Sequence, residues 1–386
     1  MNRESEDRSF VHKQRGRPVN KGRRYDTESF HDSREVKEGR ESDLTEEDLQ
    51  YLKQIFHSQD ELVFDDDSER EVFVENVLNQ FVGRESCLAF HQMPSRCVER
   101  LLTLSTPEQL HRIYTALGED LRKCTFHSFA SHVLQTSLVS ATIHVAANQD
   151  EKSLAWVVRV SKYLLNNIHD MIGNQYSSHI VRTAIQCLAG IPSEGEERKG
   201  RKRKNLGVGA EVPEFEPPPG FLSILEGYVQ WFLNHPQLIE LLQAEMSSRV
   251  IQTLLLVTHW RNKKLWKALA KFICGSLAGS LAEALEDAST LHVVEVLVVT
   301  SNRSIYKKLY EGLFENQISL LATHHLGNFT LQKLLSACPN QELLVRLYDL
   351  VSPHLPDVFH CGYTGVLLSL SEACRRHGTK QSQFLK

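Results

Sequence analysis

The sequence predicts an all-α protein, a curved solenoid of short helical repeats, and three observations carry that prediction. Apolar residues recur at helical spacing from Thr45 onward, no strand-like run interrupts them, and one ten-residue segment returns with a basal period of about 36 residues. Self-similarity at such a period decides architecture, because each repeat buries its apolar face only by stacking on its neighbours.

The elements follow in chain order. Residues 1–41 are polar and charged with no helical period, so they cannot bury enough surface to offset ordering entropy and are expected to be a disordered basic tail. Within it, His12 to Arg24 reads HKQRGRPVNKGRR, with six Lys or Arg and no acid. The array is expected to span 42–386. It opens at Thr45, where T-E-E-D resembles a capping box ahead of Leu49, Leu52 and Phe56. The acidic break FDDDSERE (64–71) then caps a helix whose buried face holds Phe73, Val77, Leu78 and Phe81. Residues 193–220 combine a charge block, glycines and three consecutive prolines, which predicts a disordered basic insertion without a core of its own.

The recurring segments align without gaps as MPSRCVERLL (93–102), FASHVLQTSL (129–138), YSSHIVRTAI (176–185), MSSRVIQTLL (246–255), STLHVVEVLV (289–298), LGNFTLQKLL (326–335) and GYTGVLLSLS (362–371). Their marker positions are Ser95, Ser131, Ser178, Ser248, Leu291, Asn328 and Thr364, separated by 36, 47, 70, 43, 37 and 36 residues. The step of 70 contains the insertion. A period of 36 accommodates three short helices per repeat.

The core pattern is Ser, then Arg or His, two apolar residues, then Gln, Glu or Arg. On a helix, positions i, i+1 and i+4 cluster, while i+2 and i+3 turn toward the core. Each repeat is therefore expected to present a polar triad, and stacking aligns the triads into one row. A hydroxyl, a flat or cationic group and an amide or acid suit unstacked bases, with one residue stacking on a ring and two bonding its edge. The candidate RNA-binding residues are Ser95, Arg96 and Glu99; Ser131, His132 and Gln135; Ser178, His179 and Arg182; Ser248, Arg249 and Gln252; His292 and Glu295; and Asn328, Phe329 and Gln332. A serine opening a helix is commonly an N-cap, but a capping box spaces its partner three residues on, not four. A solitary triplet would be an exposed polar stripe; several in register are not. Helical solenoids also bind proteins, so the period alone leaves an RNA and a protein partner open.

Composition narrows the classes. Net charge is −4, so binding by bulk charge is excluded and any RNA surface is local. The eight cysteines are scattered without a C-x-x-C pair, which predicts reduced core thiols and no metal site. No apolar run reaches the ~20 residues of a membrane span. No Walker A loop, G-x-S-x-G or glycine fingerprint for a nucleotide occurs, so no catalytic residues and no cofactor are expected. His324-His325 lacks metal-site company and reads as a pair of helix-end histidines. Arg198 to Lys204 (RKGRKRK) and the N-terminal tail read as import signals or added phosphate contacts. The single Arg15-Gly16-Arg17-Pro18 resembles a minor-groove AT-hook core, and one copy is insufficient for a DNA-binding reading.

LGNFTLQKLL resembles the core of the Pumilio repeat, and SHVLQTSL and SHIVRTAI resemble the same element. Residues 45–386 are similar to the nucleolar Pumilio-repeat family known as nucleolar protein nine, including the insertion after the third repeat and the stretch LLATHHLGNFTLQKLL…LSEACRRHG. The resemblance implies an α-helical superhelix of Pumilio-type three-helix repeats. It would bind single-stranded RNA, including small-subunit ribosomal RNA precursor, as a monomer among pre-ribosomal proteins in the nucleolus. It implies guanine at Ser95/Glu99, adenine at Ser131/Gln135 and Ser248/Gln252, and uracil at Asn328/Gln332. Arg96, His132, His179, Arg249, His292 and Phe329 would stack. Arg182, Leu291 and the set Thr364, Gly365 and Leu368 depart from the reading pattern, which implies a looser code. The family carries a longer array, so a truncated C-terminus is expected. The rival readings are a protein-binding scaffold of a pre-ribosomal particle and a Pumilio-type messenger-RNA regulator.

Overall fold

The computed structural model describes residues 44–56, 62–191, 215–277 and 286–384. The expected N-terminal tail and residues 193–214 of the expected insertion, with the 198–204 basic run, lie outside them. All regular structure among the described residues is helical.

Two helices, Glu46–Ile55 and Asp67–Gln80, precede the repeats. Thr45 and Asp48 close a reciprocal capping box, the Thr45 amide donating to Asp48 Oδ2 at 2.9 Å and the Asp48 amide to Thr45 Oγ1 at 3.2 Å. Asp48 also accepts Arg84 at 2.7 Å, and that guanidinium holds its carboxyl below the usual carboxylate range. Asp66, inside the acidic break, accepts the Glu69 amide and starts the second helix. That helix buries Val74, Val77 and Leu78, with Phe81 at its C-cap; Phe73 is half-buried between Phe56 and Phe64.

Seven repeats follow, six of them with three helices among the described residues. The first comprises Glu85–Leu88, Gln92–Leu104 and Pro107–Gly118. The second comprises Leu121–Phe126, Ala130–Asn148 and Glu151–Asn166, and the third Ile168–Met171, Ser177–Leu188 and Pro219–Leu233. The fourth comprises Leu238–Gln243, Glu245–Arg261 and Lys263–Leu277, and the fifth is described from Ala288–Thr300 through Arg303–Leu309. Ile318–Thr323, Gly327–Ala337 and Gln341–Val351 form the sixth, and Leu355–His360, Thr364–His377 and Gln381–Phe384 the seventh. Every marker residue falls on the second helix of its repeat, hereafter the marker helix. Consecutive marker helices pack on one another from the first repeat to the seventh.

The two apolar residues after each marker pair form the spine of the core. Val133 and Leu134, Ile180 and Val181, Val250 and Ile251, and Val293 and Val294 are all fully excluded from water. Burying one such side chain stabilises by about 1.5–3 kcal/mol. Third helices stack through their own apolar stripes, as where Tyr114 and Trp156 lie parallel at 5.0 Å.

The insertion leaves between the second and third helices of the third repeat. Its expected end at Gly220 needs correction. Phe215 packs against the core, and Pro219 and Gly220 already form the first turn of a helix, where proline suits the N-terminal position. Arg261, at the end of the fourth marker helix, holds both flanks: Nε donates to Ala189 O at 2.6 Å, Nη1 to Glu216 at 2.8 Å and Nη2 to Phe215 O. All eight cysteines are free thiols. Six are buried as core residues, but Cys274 is only half-buried and Cys361 is exposed, so the expectation of eight core thiols is corrected there. Burial pushes Cys97 up to about 11 and Cys124 and Cys187 to about 12, so these thiols stay protonated.

Candidate nucleic-acid interface

In four of the seven repeats the start of the marker helix is fixed by the residue four ahead of the marker. His127 Nδ1 accepts the amides of Phe129 and Ala130 at 3.2 and 3.3 Å. Asn174 Oδ1 accepts those of Tyr176 and Ser177 at 2.9 and 3.1 Å, and His324 Nδ1 those of Leu326 and Gly327 at 3.3 and 3.1 Å. Asp287 caps the fifth marker helix through the Thr290 amide at 2.7 Å. These groups satisfy amides that a helix start leaves without partners. His324 is thus a helix-end histidine, and the marker serines are not the caps.

The triads differ from the expected outward trio in one respect. Ser95, Ser131, Ser178, Ser248, Leu291 and Asn328 are all buried, none more than 3% exposed. Ser95 donates to Gln92 O and Ser248 to Glu245 O, both at 3.1 Å, and Ser131 to Ser128 O at 3.5 Å. The reason is stacking. Position i shares a face with i+4, and that face meets the next marker helix, so a short side chain there is covered.

The stacking positions behave differently. Arg96, His132, His292 and Phe329 are exposed, and His179 and Arg249 are half-buried. Phe329 leaves 54% of its surface in water, the reverse of what folding alone favours for phenylalanine. These six sit one per repeat on consecutive packed helices. The apparent trio is therefore a row of exposed or half-buried flat or cationic groups beside a partly covered row of amides and acids.

That second row bridges the seams between repeats. Thr136 donates to Glu99 at 3.5 Å, Gln135 Nε2 to Thr183 at 2.9 Å, and Thr330 to Glu295 at 3.3 Å. Gln332 Nε2 donates to Asn328 Oδ1 at 3.1 Å, while its carboxamide lies against Gly365, where an added Cβ would sit 2.6 Å from Gln332 Oε1. Glu99 is buried, whereas Gln135, Arg182, Gln252, Glu295 and Gln332 remain half-buried. Gly365 is thus a seat for Gln332 rather than a stacking group, and Leu368 at the reading position is exposed.

Charge along the row is local. His292 lies 3.5 Å from Glu295, whose carboxylate raises the imidazole above its ordinary range, with Asp287 adding to and Arg249 opposing the shift. Arg249 pairs with Glu245 at 2.5 Å, and Arg182 contacts His179 Nδ1. Among the described residues no group of three or more His, Cys, Asp or Glu side chains could hold a metal, and no helix is long and apolar enough to cross a membrane.

Sequence reasoning missed the caps, although a His, Asn or Asp four residues before the marker was visible in HSFAS, NQYSS, DASTL and HHLGN. It also missed the threonines that meet the second row, which carry no separate pattern.

Residues 83–386 match the family model of the NOP9-like PUF repeat domain. The chain is 27% identical over 346 residues to Nucleolar protein 9 of Mus musculus, covering 82% of this chain and 54% of that one. It is 25% identical over 338 residues to Pumilio homolog 23 of Arabidopsis thaliana, covering 80% and 44%. The chain spans about half the length of the curated relatives it matches. Among solved structures, that of APUM23 with GGAAUUGACGG aligns with a TM-score of 0.67 at 22% identity, over 88% of this chain and 65% of that one. The Puf3 RNA binding domain bound to the Cox17 RNA recognition sequence aligns with a TM-score of 0.54 at 12% identity, over 87% and 79%. At these identities the structural likeness establishes the fold.

Proposed function

The chain belongs to the NOP9-like PUF repeat family, and from that premise we propose that it binds single-stranded RNA along the marker row. Its cargo is the precursor of small-subunit ribosomal RNA, and it acts in the nucleolus during ribosome biogenesis. It works by binding, not by catalysis. Relatives named Nucleolar protein 9 support the compartment, and a Pumilio-type neighbour bound to RNA supports the class of ligand.

One observation carries this reading. Six consecutive repeats each place a flat or cationic side chain, exposed or half-buried, at the same helical position, with an amide, acid or arginine one turn further along. Stacking on such groups contributes about 1–3 kcal/mol per base, which over six sites reaches nanomolar affinity after ordering costs. Glu99 favours guanine because a carboxylate accepts from its N1–H and N2–H groups. Gln135 and Gln252 favour adenine, and Gln332 favours uracil. The buried Ser95, Ser131, Ser248 and Asn328 shape these sites from behind.

Sequencing of RNA crosslinked to this chain in cells tests the proposal. Adducts on the marker helices with small-subunit precursor RNA are expected. Adducts there with messenger RNA alone, or with protein alone, would overturn it. A second reading is local to the seventh repeat: Phe359 and Leu368 are 71% and 60% exposed, two apolar side chains each available to a protein partner.

A further inference from the structure

The third helix of the fourth repeat, Lys263–Leu277, carries Lys263, Lys264, Lys267 and Lys271 and no acid. All four lysines are exposed, and none forms an ion pair among the described residues. Leu265, Trp266, Leu269, Ala270 and Ile273 occupy the opposite, buried face, so the lysines point away from the marker helices. Lys264, Lys267 and Lys271 follow at i, i+3 and i+7, one stripe along the helix. Every other third helix of ten or more described residues carries at least one acid: Glu108, Glu151, Glu226, or Glu342 with Asp349.

The arrangement is not one that helix stability selects. Lys263 and Lys264 stand in the first turn, where cations oppose the macrodipole. The helix start is already satisfied by Asn262 Oδ1, which accepts the amides of Lys264 and Leu265 at 3.1 and 3.2 Å. Further cations follow in the next repeat. Trp266 Nε1 donates to Thr300 at 3.1 Å, three residues before Arg303, which ties this helix to the segment that leads into the next third helix. Arg303 and Lys308 are exposed there and form no ion pair among the described residues. In a chain of net charge −4, this is a local concentration of six uncompensated cations.

We propose that this face is a second nucleic-acid site, a track for the RNA phosphate backbone on the third helices of the fourth and fifth repeats, separate from the marker row. The other exposed residues of this helix are small, Ala268 and Gly275, and offer neither a stacking ring nor a base-edge donor. The site therefore takes phosphodiesters without reading sequence. It engages RNA that extends beyond the bases held by the marker row, or an adjoining stem.

The test replaces Lys263, Lys264, Lys267 and Lys271 together by Gln, a good helix former at exposed positions, in the full chain. Binding is measured against salt for a single strand of about ten nucleotides, which only the one-base-per-repeat row fits, and for an RNA of about 40 nucleotides containing a hairpin. The short RNA should bind the variant as it binds the parent. The long RNA should bind about tenfold less tightly, with its log–log salt slope shallower by roughly 2 to 3. Unchanged affinity and slope for the long RNA would overturn the proposal. So would a variant that keeps long-RNA binding but loses binding of poly-glutamate, which marks an acidic-protein surface. If the short RNA fails to bind even the parent while the long RNA still depends on the lysines, the marker-row reading fails and this one stands.

Discussion

Gln332 donates from Nε2 to Oδ1 of Asn328 at 3.1 Å, one turn back on the sixth marker helix. Asn328 in turn gives its amide hydrogens to the carbonyls of His324 and His325, at 3.1 and 2.8 Å. Its donors are thus used inside the helix start, and it orients Gln332 rather than facing solvent. Under the proposed RNA-binding reading, Gln332 would meet the base and Asn328 would fix its direction.

Gln332→Ala should weaken binding to the preferred RNA by about 1–3 kcal/mol and flatten discrimination at one base. Asn328→Ala should do the same to selectivity while also lowering stability by roughly 1 kcal/mol, because it removes side-chain bonds at a helix start. Anisotropy titrations with four RNAs differing at a single base distinguish the two. A double variant that binds all four as the parent does would show that this pair reads nothing.

Phe329 offers the cleanest separation of binding from folding. Its ring is 54% exposed, so little packing is lost on truncation. Phe329→Ala should shift unfolding free energy by no more than about 0.5 kcal/mol, yet reduce RNA affinity by about 1–3 kcal/mol. Phe329→Tyr should retain affinity. A folded alanine variant with parental affinity would remove the stacking role.

These residues also mark what a linear reading can reach. The repeat, the helix carrying it and the inward turn of Val133 and Leu134 follow from spacing, since i+2 and i+3 necessarily point away from i and i+4. The caps at Thr45 and Asp66 follow from side-chain chemistry at a helix start. What spacing could not supply was the neighbour. Ser95 and Ser248 share a face with Glu99 and Gln252, but that face meets the next marker helix, and only the stacked structure reveals that Ser95, Glu99 and Ser248 are covered while Gln252 stays half-buried. Gly365 was likewise visible as a missing stacker, not as the seat of a side chain 33 residues earlier.

The pair His292 and Glu295 makes the fifth repeat pH-sensitive. Glu295 raises the imidazole above the ordinary value of 6.5, favouring the imidazolium. The stabilisation from this pair is present below 6.5 and is lost as pH rises through the raised value. His292 is 61% exposed, so solvent screens the pair and the larger readout is RNA binding. Titration by NMR should place the His292 midpoint above 6.5, and Glu295→Gln should move it down. RNA affinity should fall as pH rises above 6.5 through the raised value and the cation is lost, and Glu295→Gln should shift that fall to lower pH. A His292 midpoint unaffected by Glu295→Gln would sink the coupling.

Arg261 and Gly190 together predict how the insertion is tolerated. Gly190 adopts φ +72°, and a Cβ there would lie 2.4 Å from Phe215 O, so the two flanks of the insertion touch. Arg261 spans the junction by donating to Ala189 O, 72 residues away in sequence, and to Phe215 O and Glu216. Bonds from a charged donor contribute about 1.5–3 kcal/mol, and removing the donor leaves the Ala189 carbonyl without this partner. Arg261→Ala should therefore cost about 2–3 kcal/mol locally, and Arg261→Lys should recover only part, since a point ammonium cannot fork across three acceptors. Gly190→Ala should cost at least 1–2 kcal/mol from the left-handed conformation alone. In a stacked array such losses open one junction before the whole, so hydrogen exchange is the measure. Protection should fall first in the third and fourth marker helices, Ser177–Leu188 and Glu245–Arg261, while Gly327–Ala337 keeps its protection. Uniform loss along the array, or none, would show that Arg261 does not hold this junction.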